Sequence, residues 1–230
     1  MITFVLASAS PSRLRILQQA GVDPLIRHPQ VDEDALQAAL QAALPAATPH
    51  VRVVEDLARA KAQDVLEREG ESLAAEARAA GADTLIVVGC DSMLLVDGRL
   101  EGKPHTYERA MERWRRMRGR HGVLITGHAL MIADLTGDGP LVVTRSGADT
   151  SDTTVHFGAP SDADLDVYLR TGEPLECAGA FTIESLGGWF IDRIDGDPSS
   201  VIGLSLPLLR RLLEDAGIHA HQLWRPDLRT

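Results

Sequence analysis

The sequence predicts an α/β protein: an elongated mixed sheet bent into two lobes, with flanking helices. Three observations carry that expectation. Strand-like and helix-like runs alternate through the first 120 residues. Residues 84–90 (TLIVVGC) are almost continuously apolar, the pattern of a strand covered on both faces. Asp97-Gly98 then signals a hairpin, which a purely parallel, doubly wound sheet would not contain. A chain of 230 residues is long enough for one large domain or two small lobes, and needs no staples to build a core.

In chain order, residues 2–6 read as a short core strand. Ser10 stands where an N-cap belongs and Pro11 at the first helical position, ahead of an apolar face (Leu14, Ile16, Leu17, Ala20) that stops at Gly21. Residues 32–44 give a short amphipathic helix, broken by prolines over 45–49. Residues 53–66 form a second helical run, with Gly70 beyond it, and 71–81 read as a mobile or solvated connection. After the strand at 84–90, residues 93–96 and 99–100 flank the hairpin turn. A helix is expected over 106–118, ending at Gly119. Strands are expected over 123–133, 141–144 and 153–157, with the turn residues TGDGP between the first two. Ser161 caps a helix reaching 169, with Asp164 three residues on. A late strand over 188–194 and a closing helix over 207–216 complete the reading.

The bulk numbers exclude some functions. A net charge of −10 argues against a long nucleic-acid groove, which needs clustered positive charge, but not against one small anion in a local basic pocket. Two cysteines give no disulfide framework. With no signal peptide and no apolar span of ~18 residues, a membrane role is not expected and the cytoplasm is.

The chemistry begins at LASASPSRLRIL, residues 6–17. A strand runs into a tight turn and a helix N-terminus, which presents free backbone N–H groups and partial positive charge. Ser8, Ser10 and Ser12 add hydroxyls and Arg13 a planar cation, so the segment reads either as an ordinary capped helix or as a phosphate cradle. Asp91 follows the buried strand directly, at the edge where open α/β sheets build sites, or it simply caps a turn. Glu33, among Asp32 and Asp34, is either a helix-start carboxylate stabilised by the dipole or a ligand. Lys61 falls on the stripe of Val54, Leu57, Ala58, Ala62 and Val65, so it either snorkels outward or meets a buried anion. An apolar replacement at 61 is expected to weaken substrate handling and leave stability unchanged or improved. Lys103, in LEGKPH, is a phosphate binder or an exposed turn. Six arginines between 109 and 120 read as a solvated face, with Arg109, Arg113, Arg116 and Arg120 opposite Ala110, Trp114 and Met117. The eight histidines show no zinc pattern, and no P-loop is present. Taken together, anion-binding Ser8, Ser10, Arg13, Lys61 and Lys103 and oxygen-ligand Glu33 and Asp91 suit Mg²⁺ or Mn²⁺ and attack of water on a polyphosphate.

The segments LASASPSRLRILQQAG, VDE, LARAKA, VVGCDS, LEGKP, MRGRHGVLITGHAL, YLRTGEPLECAGAF and IDGDPSSVIGLSLPLL run in order across nearly the whole chain. In them the sequence resembles the Maf family of nucleoside triphosphate pyrophosphatases. The resemblance implies hydrolysis between the α and β phosphorus atoms, giving a monophosphate and pyrophosphate, with a divalent cation. It also implies a homodimer and a two-lobed fold similar to the inosine triphosphatase type, residues 1–230 forming one domain with its site in the cleft between lobes. The family is associated with septum formation and with removal of non-standard nucleotides. Its proton-accepting aspartate matches Asp91, and its phosphate and metal residues match Ser8, Ser10, Arg13, Glu33, Lys61 and Lys103. At three base-reading positions where one branch has arginine, threonine and glutamine, this chain has Ser12, Ser92 and Glu184. Cys90 replaces a usually small residue, and 36–52 and 67–81 look enlarged. Either Glu184 is buried, and its acceptor-only carboxylate favours donor-rich bases such as guanine or a modified relative over thymine and uracil, or it points to solvent or to the metal. A nucleotide-sensing module acting on cell division without turnover is the rival reading. Asp91 and Glu33 weigh against it, because a pure anion binder gains nothing from carboxylates unless a metal intervenes.

Overall fold

The computed structural model describes residues 1–43, 50–137 and 139–228. The expected proline break over 45–49 lies outside these residues. The described strands are β1 Ile2–Ala7, β2 Leu25–Arg27, β3 Thr84–Val96, β4 Arg99–Glu101, β5 His121–Asp134, β6 Val143–Phe157 and β7 Ile191–Asp195. The α-helices are α1 Pro11–Gln19, α2 Glu33–Ala43, α3 His50–Ala79, α4 Tyr107–Met117, α5 Asp162–Arg170, α6 Pro198–Ile202 and α7 Leu206–Asp215. The strands make one mixed sheet in the order β2-β1-β3-β5-β6-β7, with β4 paired to β3. β1 runs parallel to both β2 and β3, Val5 facing Leu25 on one side and Val87 on the other. β4 returns antiparallel beside β3 with Leu95 opposite Leu100. Asp97 (φ 52°) and Gly98 (φ 72°) make the turn, both with the positive φ that a two-residue hairpin demands.

The chain divides into two compact units: Met1–Asp91 with Gly127–Thr150 and Leu206–Thr230, and Ser92–Thr126 with Ser151–Ser205. In the first, α3 lies on the sheet. Side chains alternate along a strand, so Leu85, Val87, Gly89 and Asp91 share one face of β3. Leu85 and Val87 pack there against Ala58, Ala62, Val65, Leu73 and Ala74 of α3. Gly89 sets the closeness of that contact: a Cβ there would lie 2.2 Å from the Ala58 carbonyl oxygen. Gly127 does the same on β5, where a Cβ would meet the Val54 carbonyl oxygen at 2.5 Å.

α3 is one helix of 30 residues, so the connection expected over 71–81 is not there. Leu73, Ala74 and Ala77 are buried, continuing the stripe of Ala58, Ala62 and Val65 at helical spacing. Gly70 is no stop: it is buried in mid-helix, where a Cβ would come within 2.7 Å of Leu141 Cδ2. Its propensity cost of about 1 kcal/mol is offset by the packing around it.

In the second unit, Trp114 of α4 is the hub. Its ring meets Phe157, Tyr168 and Phe190 edge-on at 5.7, 6.3 and 5.9 Å, and its Nε1 donates to the Ala180 carbonyl at 2.7 Å. The arginine face is not uniformly solvated. Arg113 is buried and donates to Glu101 Oε2 at 2.8 Å and to the Gly102 carbonyl, while Arg116 reaches Glu101 Oε1 at 2.7 Å. Of the strand expected at 141–144 only 143–144 is strand, and it runs unbroken into the one expected at 153–157 as a single strand, β6. Its polar middle, SGADTSD, resembles a loop in composition because much of this strand is only half-buried or exposed. The strand expected over 188–194 begins at Ile191, because Leu186–Phe190 coil into a 3₁₀ turn first.

Candidate functional site

In the first unit, β1 delivers Ser8 to the start of α1. Ser10 caps the helix as expected: its Oγ accepts the Arg13 backbone N–H at 3.4 Å, and Pro11 follows. Ser8 Oγ accepts the Ser10 N–H at 3.2 Å and Arg13 Nη1 at 3.0 Å. Arg13 Nη1 also donates to the Cys90 carbonyl at 2.8 Å. Arg13 is therefore not a solvated cation on a helix surface. It is buried, and it ties the helix start to the residue preceding Asp91. Ser12 accepts from Arg15 at 3.0 Å.

Asp91 does not end its strand. β3 continues through it to Val96, so Asp91 is an interior strand residue on the face that α3 covers. Lys61, on the sheet-facing stripe of α3, meets it there: Lys61 Nζ lies 2.6 Å from Asp91 Oδ1 and 2.8 Å from Glu33 Oε1. The side chains are 5% exposed for Lys61, 8% for Asp91 and 37% for Glu33. Of the two readings of Lys61, snorkelling is excluded. Its neutral or stabilising removal is no longer expected either, since that would strand Asp91 without its partner. Cys90, beside this group, is fully buried, and burial pushes its thiol up to about 11, so it is no thiolate at neutral pH.

Ser92, Lys103 and Glu184 belong to the second unit. Ser92 Oγ lies 3.0 Å from Thr126 Oγ1, and Thr126 Oγ1 donates to the Ser200 carbonyl at 2.9 Å. Glu184 is exposed rather than buried, the solvent-facing alternative, and accepts the Ile183 N–H at 3.2 Å. The Cys177 thiol, in the same unit, is pushed up to about 11. Burial is the main cause, the carboxylates of Glu184, Glu173 and Glu176 add to it, and Lys103 opposes it.

Among the described residues no group of three or more His, Cys, Asp or Glu side chains is placed to hold a metal ion. The pair Glu33 and Asp91 nevertheless fits a hard divalent cation. Both already converge on one cationic atom, and Mg²⁺ commonly takes one or two carboxylates with substrate phosphates and water completing its shell. A surface cavity of about 290 Å³ lies elsewhere, lined by Met1, Asp83, Arg145 and Gln222 among others, and contains none of the candidate residues.

Sequence pattern did not flag Glu173 or Thr126, whose partners are brought to them only by folding. No helix among the described residues is long and apolar enough to cross a membrane.

Relatives match along the whole chain. A protein of Rhodococcus opacus named "Nucleoside triphosphate pyrophosphatase" is 55% identical over 224 residues, 97% of each chain. Proteins of the same name from Nocardia farcinica and Rhodococcus jostii are 53% and 54% identical, again over 97% of each chain. A solved nucleoside-triphosphatase / dITP/XTP pyrophosphatase of Mycobacterium abscessus aligns over 68% of this chain and 74% of that one, at 16% identity and a TM-score of 0.31, a likeness too slight to argue from. The model of the Maf-like protein family matches residues 3–216, and with relatives this similar over their full length the chain belongs to that family.

Proposed function

We propose that the protein is a nucleoside triphosphate pyrophosphatase, cutting the α–β phosphoanhydride to leave a nucleoside monophosphate and pyrophosphate. The observation that carries this is the buried contact of Lys61 with Asp91, joined by the half-buried Glu33, beside the Arg13–Ser8–Ser10 turn. A chain that only held an anion would not bury one carboxylate and set a second, partly exposed one against its lysine. A chain that activates water needs a base there, and the names of the whole-length relatives agree.

In this reading the start of α1 binds phosphate: backbone N–H groups, the hydroxyl protons of Ser8 and Ser10, and the local charge of Arg13 face the anion. Lys61 bridges Asp91 and Glu33 in the free protein and offsets one of their two charges. A triphosphate offers Lys61 a competing anion, and as the ammonium turns to it Asp91 becomes a better acceptor for a proton from water. Asp91 and Glu33 would also hold Mg²⁺ or Mn²⁺, and the cation, when bound, offsets charge on the phosphate oxygens. Lys103, Ser12, Ser92 and Glu184 are assigned to the substrate on the family resemblance. With Glu184 acceptor-only, this position favours a base edge rich in donors. Because Glu184 is exposed, the discrimination expected is several-fold, below the hundredfold a buried mismatch allows. A cytoplasmic homodimer that clears non-standard nucleotides completes the reading, and light scattering of the purified chain tests the dimer.

The deciding experiment is pyrophosphate release from a panel of triphosphates with Mg²⁺, Mn²⁺ or EDTA. Metal-dependent release is expected. Binding without release under all three conditions would leave the sensing module instead.

A further inference from the structure

Glu173 opens the 3₁₀ turn Glu173–Glu176 that follows α5. Its carboxylate reaches across to a second segment and gathers four donors from it. Thr182 Oγ1 and the Gly187 N–H (3.1 Å) come to Oε1, and Ser185 Oγ (2.8 Å) and the Leu186 N–H (3.3 Å) come to Oε2. The Gly187 N–H is shared with Thr182 Oγ1 at 3.3 Å, and Tyr168 OH accepts the Thr182 N–H at 3.3 Å. The segment is also closed on itself. A Cβ at Gly187 would lie 2.4 Å from the Thr182 carbonyl oxygen, and one at Gly188 2.6 Å from that of Ile183. Residues 182–187 are thus a compact loop pinned from inside by one carboxylate, and Glu184 stands in the middle of it with its side chain exposed.

A surface loop needs no such anchor merely to exist, and partly burying a carboxylate is costly unless its oxygens are bonded. All four oxygen–donor contacts go to residues flanking Glu184, on both sides of it. We propose that Glu173 is a positioning residue for nucleobase selection: it fixes the loop so that Glu184 is presented in one orientation. This rests on the reading of Glu184 as a base reader. Glutamine at 173 keeps the shape but turns an –NH₂ toward donors that now lack an acceptor, so the loop samples several conformations and the base is read less sharply.

The test compares wild type, Glu173→Gln, Thr182→Val and Glu184→Gln as full chains, measuring kcat and KM for GTP, UTP and dTTP, with urea unfolding alongside. Glu173→Gln is expected to shrink the GTP-to-UTP ratio of kcat/KM by about fivefold, chiefly through KM, and Thr182→Val, which removes one of the four bonds, by a smaller factor. A purely structural role would lower all three nucleotides equally and leave the ratio unchanged. If Glu184→Gln alters the ratio while both loop variants leave it intact, the positioning role is overturned and the Glu184 reading stands. If no variant alters it, both are overturned.

Discussion

Replacing Lys61 by methionine keeps the length and apolar bulk of the side chain and deletes only the ammonium. The structure says what that leaves behind. Asp91, whose side chain is 8% exposed, loses a partner at 2.6 Å and remains under α3, whereas Glu33, at 37%, can turn to water. Removing one member of a buried pair costs about 3–5 kcal/mol, and partly exposed pairs contribute about 0–1 kcal/mol. Counting Asp91 alone places the loss near the lower bound, about 3 kcal/mol. For a chain of this size that lowers Tm by about 6–12 °C. The assay is urea and thermal unfolding of Lys61→Met, Asp91→Asn and the double variant. Asparagine needs no counter-cation, so the double variant is expected to recover much of the loss, with a coupling of about 2 kcal/mol. A Lys61→Met protein as stable as wild type, or additive losses, would refute the reasoning and return Lys61 to the surface.

Other consequences follow from the same contacts. Gly89→Ala puts a Cβ 2.2 Å from a backbone oxygen of α3. The helix must move off the sheet, so a loss of about 1–3 kcal/mol or more is expected together with most of the activity; normal unfolding midpoints and rates would count against the packing described. Partial burial opposes ionisation of Glu173, but the donors from Thr182, Ser185, Gly187 and Leu186 outweigh it and hold the carboxyl below its ordinary range. A depressed pKa stabilises above the unfolded value and is lost as pH falls through the folded one, so the Leu186 and Gly187 amides should lose hydrogen-exchange protection below about pH 4; protection unchanged down to pH 2 would contradict this. Glu184→Gln is expected to move preference toward UTP and dTTP, and an unchanged ranking of triphosphates would remove Glu184 from base reading.

Much of this was legible in the sequence because it is local. The Ser10-Pro11 start of α1, the Ser161–Asp164 capping box and the Asp97-Gly98 hairpin depend on a few adjacent residues, and each stands where expected. Lys61 was visible as an anomaly, a lysine on an apolar stripe, but its partner was not, since Asp91 lies 30 residues on and meets it only when α3 packs on β3. The errors share a cause. Gly70 and the alanines after it look like a break until Leu141 and the sheet face give them something to pack against. The polar middle of β6 looks like a loop because strand pairing, which composition does not show, supplies its order. Glu173 carries no local signal at all, since its four donors lie 9 to 14 residues downstream.

The central claim is that Asp91 serves hydrolysis at the α–β anhydride. The direct measurement separates the products formed from GTP with Mg²⁺ by wild type and by folded Asp91→Asn. The account expects equal amounts of GMP and pyrophosphate from wild type, and a rate lower by about 10²–10⁴-fold in the variant. GDP and orthophosphate as the products, or an Asp91→Asn protein working at the wild-type rate, would contradict it.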